Sequence, residues 1–172
     1  MDILLKHEVI EATVGRLAKD IMVDYHKKDL LILIVLKGAF IFGADLIRHI
    51  DKANLTVGFV KASSYKGELI HVSSVVFDKL PLIDVHDKHV LVVEDIVDTG
   101  HTCVDLRDGL LIGGPTTLRF CTLLDKPSRR EVEFEPNYVG FKIPNKFVIG
   151  YGLDFGEKYR NLKDIYTFGE DK

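Results

Sequence analysis

A twisted, mainly parallel α/β sheet flanked by helices and topped by a small irregular β hood is predicted by three observations. Apolar residues recur at helical spacing from His7 to Tyr25, and runs rich in Leu, Ile and Val alternate with helical stretches as far as Asp125. Beyond that point only short β pieces follow, punctuated by proline and glycine. At 172 residues and 47% hydrophobic content the chain suits one domain, 1–172. Its core is expected over about 25–130, and its hood from the N-terminal segment together with about 131–172.

Each element has its own warrant. Ile10, Val14, Leu17, Ile21 and Tyr25 make the apolar stripe of a first helix. LLILIVL, residues 30–36, has the composition of a strand buried on both faces. After Lys37 and Gly38 a second helix places Phe42, Leu46, Ile47 and Ile50 on one side. LTVGFVKAS, residues 55–63, is a second strand and HVSSVVF near residue 75 another, with a polar Ser63-to-His71 connection between them. HVLVVE, residues 89–94, is a buried strand that runs into a turn, DIVDTGH, and a helix extends from about Thr102 to a stop at Gly113, Gly114 and Pro115. TTLRFCTLLD, residues 116–125, closes the next strand. YVGF, FVIGYG and IYTF, separated by Pro144, Gly150, Gly152 and Gly156, have no long helix between them and are assigned to the hood.

Composition removes several function classes. Net charge is −3 with no dense Lys/Arg block, so no nucleic-acid partner is expected. The longest apolar run is far too short to span a bilayer, and MDILLKHEV lacks an apolar leader core. No membrane partner is therefore expected, and a cytoplasmic location is. Cys103 and Cys121 form neither a CxxC pair nor a metal-ligand spacing with the seven histidines, and are expected to be core thiols in a reducing compartment.

The informative stretch is VLVVEDIVDTGHT, residues 90–102. In an open parallel sheet ligands sit beyond the carboxyl ends of the strands, where Glu94 and Asp95 arrive as adjacent carboxylates. Asp98, Thr99, Gly100, His101 and Thr102 then open a helix, whose first N–H groups lack intrahelical partners. Such a turn is a nest for phosphate, to which the helix dipole adds ~0.3 to 1 kcal/mol. The hydroxyls of Thr99 and Thr102 can donate as well, and Gly100 admits close approach of the backbone. Carboxylates suited to vicinal hydroxyls, beside a phosphate nest, match ribose 5-phosphate. The competing reading of the same residues is a capped helix after a strand, with Asp98 as the cap.

VLVVEDIVDTGHT resembles the phosphoribosyl pyrophosphate signature of type I phosphoribosyltransferases, and other segments from Leu36 to Arg160 resemble the hypoxanthine-guanine branch. The resemblance implies transfer of the 5-phosphoribosyl group from phosphoribosyl pyrophosphate to N9 of a 6-oxopurine, giving IMP or GMP in purine salvage. It implies Mg2+ as cofactor and a homodimer or homotetramer. LKG at 36–38 matches the pyrophosphate loop, with a cis peptide between Leu36 and Lys37 and backbone N–H groups of Lys37 and Gly38 on the leaving group. Ser64 and Tyr65 match the mobile loop that closes over the reacting centre, and Asp98 matches the general base that takes the N7 proton. Lys126 in LLDKPSRR matches the donor to purine O6, which selects against adenine. Phe147 matches the aromatic that stacks on the base, with the backbone of Val148 bonding its edge. Asp154 matches an acidic residue near the second magnesium ion and the guanine amino group, and Arg160 matches the arginine on pyrophosphate. Glu94 and Asp95 hold the ribose hydroxyls, and through them magnesium; with Asp154 they form the expected metal set.

His101 stands where relatives often carry Lys or Asn, and is expected to give the phosphate mainly its backbone N–H. The sequence admits two rival readings. IVDTG also resembles the aspartic protease turn, but that turn asks for an all-β context. A ligand-sensing regulator on the same fold would be expected to show a basic stripe, which the sequence lacks.

Overall fold

The computed structural model describes residues 1–51, 54–61 and 83–169. A five-stranded parallel sheet has the order β3-β2-β4-β5-β6: β3 is Leu55–Lys61, β2 Leu30–Leu36, β4 His89–Val97, β5 Thr117–Asp125 and β6 Tyr138–Lys142. A smaller antiparallel sheet, ordered β1-β8-β7, joins Asp2–Leu5, Ile165–Thr167 and Val148–Ile149. One face of the large sheet carries α1, His7–Asp24, and α2, Phe40–Arg48; the other carries α3, His101–Ile112.

Ile10, Val14, Leu17 and Ile21 of the expected stripe, together with Ala18, have no exposed surface on α1, and Tyr25 is buried at its C-cap. They pack with Ile32, Ile34, Leu91 and Val93, and each such side chain contributes ~1.5 to 3 kcal/mol by leaving water. The alternate residues Leu33, Val90 and Val92 face Cys103, Leu106 and Leu110 of α3, so both faces of β2 and β4 are dry, as their unbroken aliphatic runs require. In α2 a Cβ on Gly43 would lie 2.6 Å from Ile34, so the helix rests against β2 at backbone distance. Ile47 is only half-buried, and Ile50, though buried, lies beyond the end of α2. Both cysteines are buried and free, and burial pushes both thiols far up. Among the described residues no helix is long and apolar enough to cross a membrane.

Two expectations need correction. β4 does not stop at Glu94: Ile96 and Val97 still pair with Leu124 and Asp125 of β5, so Glu94 and Asp95 are strand residues and the turn begins at Asp98. YVGF does not belong to the hood, because Tyr138–Lys142 adds to the large sheet parallel to β5. The Tyr138 hydroxyl donates to Asp24 at 2.6 Å and accepts from Arg119 of β5 at 2.8 Å, pinning this strand to the end of α1. DILL, for which the sequence predicts no element, forms a strand, β1, that pairs with β8 and ties the first residues of the chain to the last described ones. The strand expected near residue 75, and the Ser63-to-His71 connection, lie outside the described residues.

Candidate active site

A cleft of about 550 Å³ opens at the carboxyl ends of β2 and β4. Its lining brings together Lys37, Gly38, Glu94, Asp95, Asp98, Thr99, Gly100, Thr102, Asp154 and Arg160, all expected from the sequence, and adds Glu157. Ser64 and Tyr65 lie outside the described residues. His101, Lys126, Phe147 and Val148 are not on this lining and are located separately below.

Strand alternation distributes the two carboxylates. Glu94 shares the α3 face of Val90 and Val92, whereas Asp95 shares the face of Leu91 and Val93 and lies under the loop after β2. Glu94 is only 7% exposed; its Oε1 accepts the Asp95 N–H at 3.2 Å, and its Oε2 is buried with no partner. Loss of hydration, then the neighbouring Asp95 charge, raises the Glu94 pKa well above the ordinary carboxyl range. The same burial raises Asp95, whose Oδ1 accepts the Ile96 N–H at 2.7 Å.

A carboxyl that holds its proton more tightly when folded loses stability as pH rises from about 4.5 through the folded value. Glu94→Gln is therefore expected to raise the melting temperature of the ligand-free protein by ~2 to 4 °C at neutral pH, equivalent to ~1 kcal/mol. The gain should vanish below the ordinary carboxyl pKa. Paired melting curves across that range check it.

The peptide bond between Leu36 and Lys37 is cis. Lys37 Nζ meets Glu157 Oε2 at 3.1 Å, and the same carboxylate lies 3.3 Å from Arg160. Arg160 also reaches Asp154 Oδ1 at 2.9 Å and donates to the Gly152 carbonyl at 2.8 Å. Lys37, then Arg160, lowers the Glu157 pKa. The loop after β2 is thus clasped to the segment after β7 by alternating charges.

Gly100, at φ +94°, is the N-cap residue of α3, which has no side-chain cap, so the capping role weighed for Asp98 does not hold. Asp98 is engaged elsewhere: Arg129 Nε donates to Oδ1 at 2.9 Å, and Lys126 Nζ lies 3.5 Å from Oδ2. Lys126 is only 5% exposed and is not among the residues that line the cleft. Arg130 donates to the Asp98 carbonyl and pairs with Asp125, and the Glu131 N–H donates to the Thr99 carbonyl at 3.0 Å. The His101 imidazole turns outward to Glu131 at 3.1 Å, which leaves its main chain at the helix start. Phe147 is 50% exposed, edge-on to Phe155 at 5.8 Å, and Val148 lies on β7, an edge of the small sheet.

Glu94, Asp95 and Asp154 all line the cleft, but among the described residues no three His, Cys, Asp or Glu side chains are grouped closely enough to hold a metal by themselves. Asp154 is occupied, one oxygen by Arg160 and the other by the Glu157 N–H at 2.8 Å. Glu94 and Asp95 nevertheless offer hard oxygen donors, one of them an unpartnered buried atom, which suits magnesium held mostly by substrate oxygens and water. Sequence reasoning missed Glu157, Arg129 and Arg130; the SRR triplet was visible, but a basic doublet carries no signal until its partners are located.

The phosphoribosyl transferase domain family matches residues 1–156. The chain is 42% identical over 167 residues to a hypoxanthine-guanine phosphoribosyltransferase of Aquifex aeolicus, covering 96% of this chain and 93% of that protein. It is 41% identical over 165 residues to a hypoxanthine phosphoribosyltransferase of Haemophilus influenzae, covering 94% and 92%. Its fold is similar to that of a hypoxanthine-guanine phosphoribosyltransferase of Bacillus anthracis crystallised with HEPES in the active site. The TM-score is 0.91 at 43% identity, covering 98% and 99% of the two chains.

Proposed function

Because the chain belongs to the phosphoribosyltransferase family, within its hypoxanthine-guanine branch, we infer that it transfers the 5-phosphoribosyl group from phosphoribosyl pyrophosphate to N9 of hypoxanthine or guanine, yielding IMP or GMP and pyrophosphate in purine salvage. The observation that carries this reading is the single cleft in which Lys37, Glu94, Asp95, Asp98, Thr99 and Arg160 meet.

The 5-phosphate is assigned to the uncapped start of α3, where the N–H groups of Gly100, His101 and Thr102 and the hydroxyls of Thr99 and Thr102 donate to it. Glu94 and Asp95 receive the ribose hydroxyls. Pyrophosphate is assigned to the main chain of Lys37 and Gly38 and to Arg160. The purine is assigned between the ring of Phe147 and the Asp98–Lys126 pair, with backbone atoms of Val148 and Asp154 at its edge. The N9 lone pair forms the bond to C1′ while the C1′–O bond breaks and its electrons leave on pyrophosphate; the N7 proton passes to Asp98. Glu94 and Asp95 would hold Mg2+, which would supply charge neutralisation for the leaving group. Asp154 acts from its ion pair with Arg160 rather than as a direct ligand. Ser64 and Tyr65 belong to the segment that excludes water.

Residues 1–172 are taken as one catalytic domain, and the family resemblance favours a homodimer or homotetramer, which light scattering distinguishes. Small-molecule substrates, without nucleic acid or membrane, are the proposed partners, and the cytoplasm the proposed location. The test is pyrophosphate release from phosphoribosyl pyrophosphate and magnesium with hypoxanthine, guanine, xanthine and adenine offered separately. Release with the first two and not with adenine is expected; silence with every base would overturn the reading.

Lys126 explains the expected rejection of adenine, whose 6-amino group would present a donor to a donor. Lys126→Ala is expected to cost ~1.5 to 3 kcal/mol of discrimination, or roughly 10- to 150-fold in the hypoxanthine-to-adenine ratio of kcat/KM. An unchanged ratio would remove Lys126 from O6 recognition.

A further inference from the structure

We propose that Arg129 is a positioning residue for the proton acceptor Asp98, holding one carboxylate oxygen so that the other is presented to N7 of the purine. The inference rests on the transferase reading above and goes beyond it.

In the ligand-free cleft both oxygens of Asp98 face cations: Arg129 Nε at 2.9 Å from Oδ1 and Lys126 Nζ at 3.5 Å from Oδ2. With both oxygens facing cations, neither is open to the N7 proton of the purine. The two cations are not equivalent. Lys126 stands beyond good hydrogen-bond distance, is buried, and has a second engagement awaiting it at the purine O6. Arg129 makes the close contact from the 3-10 turn Pro127–Arg129, whose start is anchored by the Lys126 N–H donating to the Val97 carbonyl at 2.9 Å.

Base entry therefore draws Lys126 off Oδ2 toward O6, while Arg129 stays on Oδ1. As N9 bonds to C1′ and pyrophosphate leaves with its electron pair, the N7 proton is received by the vacated Oδ2. Binding of the oxopurine itself uncovers the base that activates it, and adenine, offering no oxygen to Lys126, would leave Asp98 covered.

The surroundings isolate this contact. Arg130 bonds the main-chain carbonyl of Asp98 and the carboxylate of Asp125 on β5, and His101 of α3 is paired with Glu131. Among the charged groups packed around Asp98, Lys126 and Arg129 are those that meet its carboxylate. Arg129 is 44% exposed at its side chain, so substitution there leaves the core intact.

The experiment measures kcat and KM for hypoxanthine against pH in wild type, Arg129→Gln and Arg129→Lys, with saturating phosphoribosyl pyrophosphate and magnesium. In Arg129→Gln the kcat plateau is expected to fall roughly 10-fold, a part of the ~10² to 10⁴ that a positioned base supplies. KM for hypoxanthine should stay within about twofold, so that the loss falls on the chemical step. KM for phosphoribosyl pyrophosphate should hold. Arg129→Lys, which keeps charge but not the planar fork, is expected to restore only part of the plateau. A kcat profile superimposable on wild type, a loss that appears in KM rather than in kcat, or no rescue by Arg129→Lys would overturn the proposal. A wild-type protein that releases no pyrophosphate would instead overturn the transferase reading itself.

Discussion

Asp98→Asn is expected to lower turnover by ~100-fold or more while leaving nucleotide binding nearly intact, because a positioned general base supplies ~10² to 10⁴ of the rate and little of the ground-state affinity. The amide keeps the shape of the carboxylate but cannot take the N7 proton. It also presents a carbonyl to only one of the two cations at Asp98, and an NH2 group to the other, so the local arrangement of Lys126 and Arg129 should loosen. Single-turnover formation of IMP alongside IMP titration separates the two effects. Unchanged turnover would reduce Asp98 to an organiser of the turn through its carbonyl contact with Arg130.

Gly38→Ala is the second substitution expected to act strongly. A Cβ there would lie 1.7 Å from Oδ2 and 2.6 Å from Cγ of Asp95, inside any tolerable contact. Asp95 cannot turn aside without loosening the bond from the Ile96 N–H to its Oδ1, and the opposite side is closed as well. Gly152 crosses so near that a Cβ on it would come within 2.2 Å of the Gly38 carbonyl. The pyrophosphate loop and the ribose carboxylate would be forced apart by about an ångström, a displacement that can cost ~10²-fold. The loss should appear in kcat/KM for phosphoribosyl pyrophosphate, with circular dichroism melting to separate it from unfolding. Wild-type kinetics would mean that Asp95 is free to move and does not fix the sugar.

Much of this arrangement was legible in the residues, and what was hidden has identifiable causes. The αβ alternation up to Asp125 could be read because Leu30–Leu36 and the stripe of α1 obey the two simplest periodicities. β4 was cut short because Glu94 and Asp95 look like the start of a turn. Only pairing with Leu124 and Asp125 carries the strand on to Val97, and pairing partners are not local information. β6 was misplaced for a related reason. Parallel neighbours ordinarily require a helical crossover, and the segment from Lys126 to Asn137 holds no more than the 3-10 turn. Within the site, Asp98, Lys126 and Arg160 could be named from their motifs. Arg129, Glu157 and Asp125 could not, since each matters through a contact that only the folded chain creates.

The connection between β5 and β6 also bears on how base preference could diversify. It carries Lys126, begins and ends on neighbouring strands, and is fastened along its length: Arg130 to the Asp98 carbonyl, Glu131 to Thr99, and Asn137 to Phe120 through both main chain and side chain at 2.9 Å. A segment tied down in this way behaves as a cassette. Exchanged for that of a relative with different base specificity, it is expected to leave the shape of the phosphate turn unchanged, provided that the equivalents of Arg129, Arg130, Glu131 and Asn137 travel with it; a graft that carried the lysine alone would deliver the chemistry without its fasteners.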